Sequence, residues 1–244
     1  GSKTSSLQGY ELSQFGNPNA KWETTTSTNI GLDATLLRGK LGFTVDLYQR
    51  KTSDMLFPVE IQYTQGQATN PFRNIATMVN KGIELGLNYY GDALKGDFTY
   101  DLSVNFSAYK NEVQKTDGNP NTRFFGFTTR LPAMTVTQAG HPISSFFGYV
   151  IDGIFQTDDE AAKAPLQFSN TLGANNKAGQ FRFRDVNGDN KIDANDRTII
   201  GSPHPDFTYG FNAELKYKQF GLTIFAQGVQ GNQLFNYVRY WTDF

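Results

Sequence analysis

Six segments that alternate with period two, joined by connections that are in turn very short and very long, predict an all-β chain. The expected form is an antiparallel transmembrane β-barrel segment with long extracellular loops. A third observation is compositional. The 244 residues include 21 Phe, 12 Tyr and 2 Trp (14% aromatic) and 24 Gly, against 18% charged residues. Aromatics with few charges suit strands. No run of about 18 apolar residues exists, which excludes a transmembrane helix. It leaves a barrel open, because there only alternate residues meet lipid.

The strands follow in order. In 29–37, Ile30, Leu32, Ala34 and Leu36 share one face, and Asn29, Gly31, Asp33 and Thr35 the other. In 40–50, Leu41, Phe43, Val45 and Leu47 alternate with Gly42, Thr44, Asp46 and Tyr48. In 81–90, Ile83, Leu85, Leu87 and Tyr89 alternate with Gly82, Glu84, Gly86 and Asn88. In 98–109, Phe98, Tyr100, Leu102, Val104 and Phe106 alternate with Thr99, Asp101, Ser103, Asn105 and Ser107. In 207–218, Phe207, Tyr209, Phe211, Ala213, Leu215 and Tyr217 alternate with Thr208, Gly210, Asn212, Glu214 and Lys216. In 220–228, Phe220, Leu222, Ile224 and Ala226 alternate with Gly221, Thr223, Phe225 and Gln227.

Short turns near 38–39, 91–96 and 218–219 put one end of the sheet together. The other connections, roughly 57–78 and 117–206, gather at the opposite end. Barrels in membranes have this asymmetry, and a compact soluble domain rarely carries a connection of about 90 residues. A soluble antiparallel sandwich explains the alternation equally well. It explains the loop asymmetry poorly, and the aromatics Tyr89, Phe98, Tyr100, Phe207, Tyr217 and Phe220 at the ends of the apolar faces less well than an interfacial girdle does. In a barrel the polar faces line a wet lumen, so Asp33, Asp46, Glu84, Asp101, Glu214 and Lys216 cost little there. Six strands cannot close a wide barrel. The start GSKTSSLQGY has no signal-peptide pattern, and no returning strand follows NYVRYWTDF, so the expectation is an internal piece of a longer protein.

Other chemistry is thinly represented. With 22 basic and 23 acidic residues there is no basic footprint, so no nucleic-acid partner is expected. Zero Cys removes disulfides and thiolate sites, and two His leave little for zinc. His141 and His204 sit beside prolines and read as turn residues. No phosphate loop, nucleophile elbow or zinc-protease motif occurs, and no carboxylate pair stands apart for glycoside hydrolysis, so no enzyme activity is expected. The segment 157–165 reads as a short helix with a capping box at Thr157 and Glu160. Phe124, Phe125, Phe127, Phe146, Phe147 and Tyr149 could stack on a sugar or contact a partner, or equally pack the loops together.

The strongest local motif is DVNGDNKIDAND at 185–196, inside the long 117–206 loop. Asp185, Asn187, Asp189, Asp193 and Asp196 take positions 1, 3, 5, 9 and 12 of a calcium loop, and Lys191 at position 7 offers its carbonyl. Ca²⁺ takes six to eight oxygen ligands, and this spacing wraps them toward one point. Asn190 stands where such loops carry Gly, although Asn tolerates positive φ. Asp at position 12 resembles the dockerin variant. No flanking helices make an EF-hand pair. The competing reading is a solvated acidic turn. If Ca²⁺ binds, its expected role is structural.

Several strings resemble the C-terminal barrel region of the SusC/RagA family of TonB-dependent outer-membrane transporters of Bacteroidetes. They are NPNAKWETTTSTNIGLD (17–33), NIATMVNKGIELGLN (74–88), GHPISSFFGYVIDGIFQ (140–156), FRDVNGDNKIDANDRTIIGSPHPDFTYGFN (183–212) and FAQGVQGNQLFNYVRYW (225–241). Ser27 replaces a common Gln of the family and Asn190 its usual Gly. The resemblance implies a barrel of about 22 strands around a plug in the bacterial outer membrane. It implies coupling to TonB through a missing N-terminal region, and a SusD-like surface lipoprotein as lid over a glycan or peptide importer. The alternative is a soluble β-rich, calcium-dependent glycan- or protein-binding module.

Overall fold

The computed structural model describes residues 15–59, 69–119, 121–126, 133–168 and 176–242. In chain order the strands begin with β1 (Thr24–Leu36), β2 (Leu41–Pro58), β3 (Phe72–Ala93) and β4 (Phe98–Lys115). The long connection carries β5 (Arg123–Phe125), β6 (Thr135–Gln138), β7 (Ser145–Gly148) and β8 (Ile151–Ile154). Helix α1 (Asp158–Lys163) follows, then β9 (Leu166–Gln167), β10 (Phe181–Phe183), β11 (Lys191–Ile192) and β12 (Thr198–Gly201). The chain returns through β13 (Phe207–Tyr217) and β14 (Phe220–Gln230) to a helical turn, α2 (Tyr237–Thr242).

All six expected strands form one sheet in the order β1-β2-β3-β4-β13-β14. Every pairing is antiparallel. The apolar faces are in register across it: Leu36, Leu41, Tyr89, Leu102, Ala213 and Ile224 form one continuous row. Asp33, Thr44, Gly86, Asn105, Gly210 and Gln227 form a row on the other face. A one-residue slip anywhere would mix the faces, so the alternation fixes the register.

The girdle is present in both halves. Tyr89 and Tyr100 stand 5.8 Å apart near the short turns, with Phe98 at 5.8 Å from Tyr100. At the other edge of the apolar band Phe106 stacks on Phe207 at 5.5 Å. The short turns knit to their neighbours. Lys40 pairs with Asp92 at 2.7 Å, and Lys218 lies 3.9 Å from Asp97.

One expectation needs correction. The strands run further than 50 and 81: β2 reaches Pro58 and β3 starts at Phe72, so the connection between them is 59–71. A membrane crossing takes about 9–11 residues, which β13 and β14 match at 11 each. β2, β3 and β4, at 18, 22 and 18 residues, rise well past the apolar band. Their distal parts, such as KTSDMLFP and FRNIATMVN, carry no alternating pattern because neither face there is set against lipid. Asp54, at φ 58°, sits in a bulge of β2, held by the Asn74 amide donating 2.7 Å to its carbonyl.

The 117–206 connection carries structure of its own. It folds into a four-stranded sheet (β12-β7-β6-β5) and two small strand pairs, β10-β8 and β11-β9. The interior lies largely here, with Val136, Phe147, Phe155, Ala161 and Ile192 buried.

Candidate functional site

Two regions carry chemistry: the two faces of the large sheet, and the folded 117–206 connection with its acidic loop.

On the sheet, one face exposes a broad apolar surface. Ile30 is 72% exposed, Leu222 55% and Val104 40%, with Leu32, Leu47, Leu87, Phe211 and Ile224 beside them. Such an area far exceeds what a soluble monomer leaves uncovered. The opposite face gathers all six ionisable residues expected in a lumen. Asp46 lies directly across from Glu84, and Asp101 across from Glu214. Asn29 donates to Asp46 at 3.1 Å. Among the described residues no cation pairs with Asp33, Asp46, Glu84, Asp101 or Glu214. Gly82 accepts the Tyr48 ring over its backbone on this face, where an added Cβ would meet the ring 2.6 Å away.

The folded connection is latched to the sheet where β4 outruns β13. Val113 donates to the His141 carbonyl at 2.9 Å, and Gly140 donates back to Val113 at 2.8 Å. Asn111 accepts from the Ile143 amide at 2.8 Å while donating to Asn80 at 2.7 Å. His204, read from sequence as a turn residue, is also a clamp. Its Nε2 donates to the Ile143 carbonyl at 3.1 Å, which leaves Nδ1 to accept from the Tyr109 hydroxyl at 3.2 Å. No signal in the sequence joined residues 109 and 204, because only the fold sets them side by side.

The loop aromatics pack against one another. Phe124 lies 4.8 Å from Phe57, and Phe125 5.7 Å from Phe147. Arg197 and Arg123 lie against the Phe147 ring at 4.7 and 5.2 Å. Tyr149 closes a cluster with Phe168 and Phe183 at 4.9 and 5.7 Å. Phe146 sits in β7, and Phe127 lies outside the described residues. Helix α1 has the expected cap: the Thr157 hydroxyl accepts from Glu160 N–H at 3.1 Å. Glu160 reaches back to the Gln156 amide at 2.8 Å, one residue before the cap, and its other oxygen takes Arg182 at 2.5 Å. Its acidic first turn therefore ties the helix to its neighbours. Asp158 also accepts from the Ala178 amide at 2.9 Å.

Asp185, Asn187, Asp189, Lys191, Asp193 and Asp196 form one tight loop. Asp185 accepts from the Gly188 and Asn190 amides at 2.6 and 2.8 Å. Asn187 accepts from Asp189 N–H at 3.0 Å, and Asp189 from Lys191 N–H at 2.9 Å. Asn190 takes φ 65°, the left-handed conformation its position demands. Asp193 and Asp196 make a reciprocal capping box. Asp196 is fully buried and accepts from the Val186 and Asp193 amides at 2.9 and 2.8 Å. Burial pushes its carboxyl up, but the amides of Asp193 and Val186 outweigh that and hold it below the ordinary range. The carboxylates thus serve backbone amides. Among the described residues no three acidic or histidine side chains converge on a metal position.

The family described as TonB dependent receptor-like, beta-barrel matches residues 5–230. TonB-dependent receptor P3 of Formosa agariphila is 33% identical over 95% of this chain and 23% of its own length. TonB-dependent receptor SusC of Bacteroides thetaiotaomicron is 31% identical over 92% of this chain and 20% of its own. Among solved structures, the RagAB peptide transporter matches 98% of the chain and 24% of its own at 26% identity and TM-score 0.72. The RagAB peptide importer in its open-open state matches over the same shares at 28% identity and TM-score 0.70. The chain thus spans about a quarter of the length of these proteins. An in-register sheet with one apolar and one polar face, matched along nearly its whole length, makes this chain a segment of a transmembrane barrel in the TonB-dependent receptor β-barrel family.

Proposed function

We propose that this chain is part of an outer-membrane, TonB-dependent importer that takes up glycans or oligopeptides beneath a SusD-like lipoprotein lid. The observation that carries the reading is the exposed apolar face, continuous over six strands and bounded by aromatics at both edges. It needs lipid, and the polar face behind it needs water. The folded 117–206 connection then stands on the extracellular side, where it shapes the rim that substrate and lid meet. Coupling to TonB belongs to parts of the protein outside this chain. A soluble module would leave the apolar face and both sheet edges bare, a recipe for aggregation.

The orientation is open to direct test. The chain contains no Cys, so a cysteine introduced here is the segment's single thiol, and the full-length protein is used with any Cys elsewhere replaced by Ser. Val186→Cys is expected to react with a membrane-impermeant maleimide on intact cells, and Lys95→Cys only after the outer membrane is permeabilised. The reverse pattern would overturn the topology. Uptake of labelled oligopeptides against labelled oligosaccharides by cells with and without the full-length protein separates the two cargo classes.

The 185–196 loop is proposed to bind Ca²⁺ as a brace. Its all-oxygen donor set and the preset turn at Asn190 support this. Asp185 and Asp189 oxygens that accept one amide each keep a further lone pair for the ion. In the full-length protein, millimolar Ca²⁺ is expected to slow amide exchange across 185–196 relative to EGTA, and Asp189→Ala to abolish the difference. Equal exchange in Ca²⁺ and EGTA would leave the loop held by its own hydrogen bonds alone.

A further inference from the structure

We propose that the cleft at the loop-ward edge of the apolar band seats one anionic, phosphate-bearing lipid of the surrounding membrane. Lys81 and Lys110 hold the phosphate, and the acyl chains lie over Leu47, Ile83 and Ala108. The inference rests on the reading that the apolar face of the sheet meets lipid.

A cavity of about 1030 Å³ opens where β4 runs past the start of β13. By strand alternation Leu47, Lys81, Ile83, Ala108 and Lys110, all in its lining, belong to the apolar face. Gly82, Tyr109 and Asn111, which alternate onto the polar face, line its strand edge as well, whereas Tyr48, which covers Gly82 on that face, does not. The far wall comes from Pro142 and Ile199 of the folded connection, which overhangs the cleft, and from Gln233 just beyond β14. The volume suits a lipid headgroup with the first part of its chains.

The charge pattern identifies the occupant. In the row Ile30, Leu47, Ile83 and Ala108 the apolar band ends, and one row further out Gln49, Lys81 and Lys110 stand side by side. Lys81 and Lys110 are direct cross-strand partners, an arrangement that disfavours pairing unless an anion lies between them. Lysines at this depth extend their stems along apolar surface and their ammonium groups to the headgroup level. At the opposite rim the basic groups Lys40 and Lys218 have acidic neighbours of their own, Asp92 and Asp97. Lys81 has none among the described residues. Lys110 has Glu112 at 3.5 Å, one row further from the band. Asp206, the one acidic residue in the lining, has its carboxylate over Gly231. A membrane phosphate is the anion whose tails also fit the apolar wall.

Native mass spectrometry of the full-length protein in detergent tests this with phosphatidic acid and phosphatidylcholine of identical chains. The parent is expected to retain one more phosphatidic acid than phosphatidylcholine. Lys81→Gln/Lys110→Gln is expected to lose roughly ten-fold in that preference. Lys81→Arg/Lys110→Arg and the opposite-rim control Arg38→Gln/Lys95→Gln are expected to keep it. Heat-modifiable gel mobility reports that each variant is folded. Preference unchanged in the folded Gln variant, or lost equally in the control, would overturn the site. Inorganic phosphate that displaces the lipid at equal concentration would overturn the role of the acyl wall. Quenching by brominated lipid of the emission that Leu32→Trp adds to the parent separates the two readings. Quenching without a lysine effect removes the lipid site alone. No quenching removes the transmembrane reading beneath it.

Discussion

At the residue scale, Asp196 holds the acidic loop together. Removing its carboxylate leaves the half-buried amides of Val186 and Asp193 without their acceptor, so Asp196→Ala is expected to cost about 1–3 kcal/mol of local stability. Hydrogen exchange in the full-length protein should show it as faster exchange at Val186 and Asp193, and little change in the sheet. The same carboxyl has a pH signature shared by two others. Asn119 and Thr122 donors hold Asp117 below its usual range, and Arg184 holds Asp152 there. For groups depressed in the fold, the stability they contribute is complete above the ordinary value of 3.8. It is lost as pH falls through their lower folded values. The folded connection should therefore loosen below about pH 4 and stay unchanged from pH 5 to 7, as read by amide exchange over 117–206. The sequence placed Asp196 in the loop and foresaw the left-handed Asn190. It could not say that Asp196 points inward, because burial depends on how the rest of the connection packs around it.

At the element scale, the short turns are less relaxed than their spacing suggests. Leu37, Arg38 and Gly39 take φ of 52°, 57° and 89°, and Leu94, Lys95 and Gly96 take 53°, 57° and 95°. Glycine suits that region and leucine does not. Leu37→Asn and Leu94→Asn are expected to stabilise each hairpin by about 0.5–1 kcal/mol. Urea titration of the full-length barrel in lipid would register the gain. The turn positions were legible from Gly and basic residues between alternating runs. The conformation was not, since Leu-Arg and Leu-Lys carry no signal for it. The strand extensions above the membrane escaped the same reading because a period-two pattern exists only where one face differs from the other.

At the scale of the whole molecule, the two faces of the sheet make opposite demands on neighbouring residues. Val104 faces the apolar side, and Asn105 the polar side beside Gly86 and Gly210. Val104→Arg is expected to cost about 2–4 kcal/mol near the bilayer midplane, and Asn105→Arg little. Folding titrations into lipid bilayers, or the amount of full-length protein assembled in the outer membrane, would separate them. Equal penalties would mean that the apolar face does not meet lipid.

The sequence by itself determined the class, the six strands, their faces and the end at which the turns gather. These follow from local periodicity, which the backbone obeys whatever its neighbours do. It also carried the family likeness, because ordered motifs are read without a fold. Only the tertiary structure decided that the long connection is a packed unit and that His204 and Asn111 fasten it to β4. It also set the loop carboxylates on backbone amides and brought Lys81 beside Lys110 at the rim of the band. Each of those depends on contacts between residues far apart in the chain, and no local pattern encodes a distance of that kind.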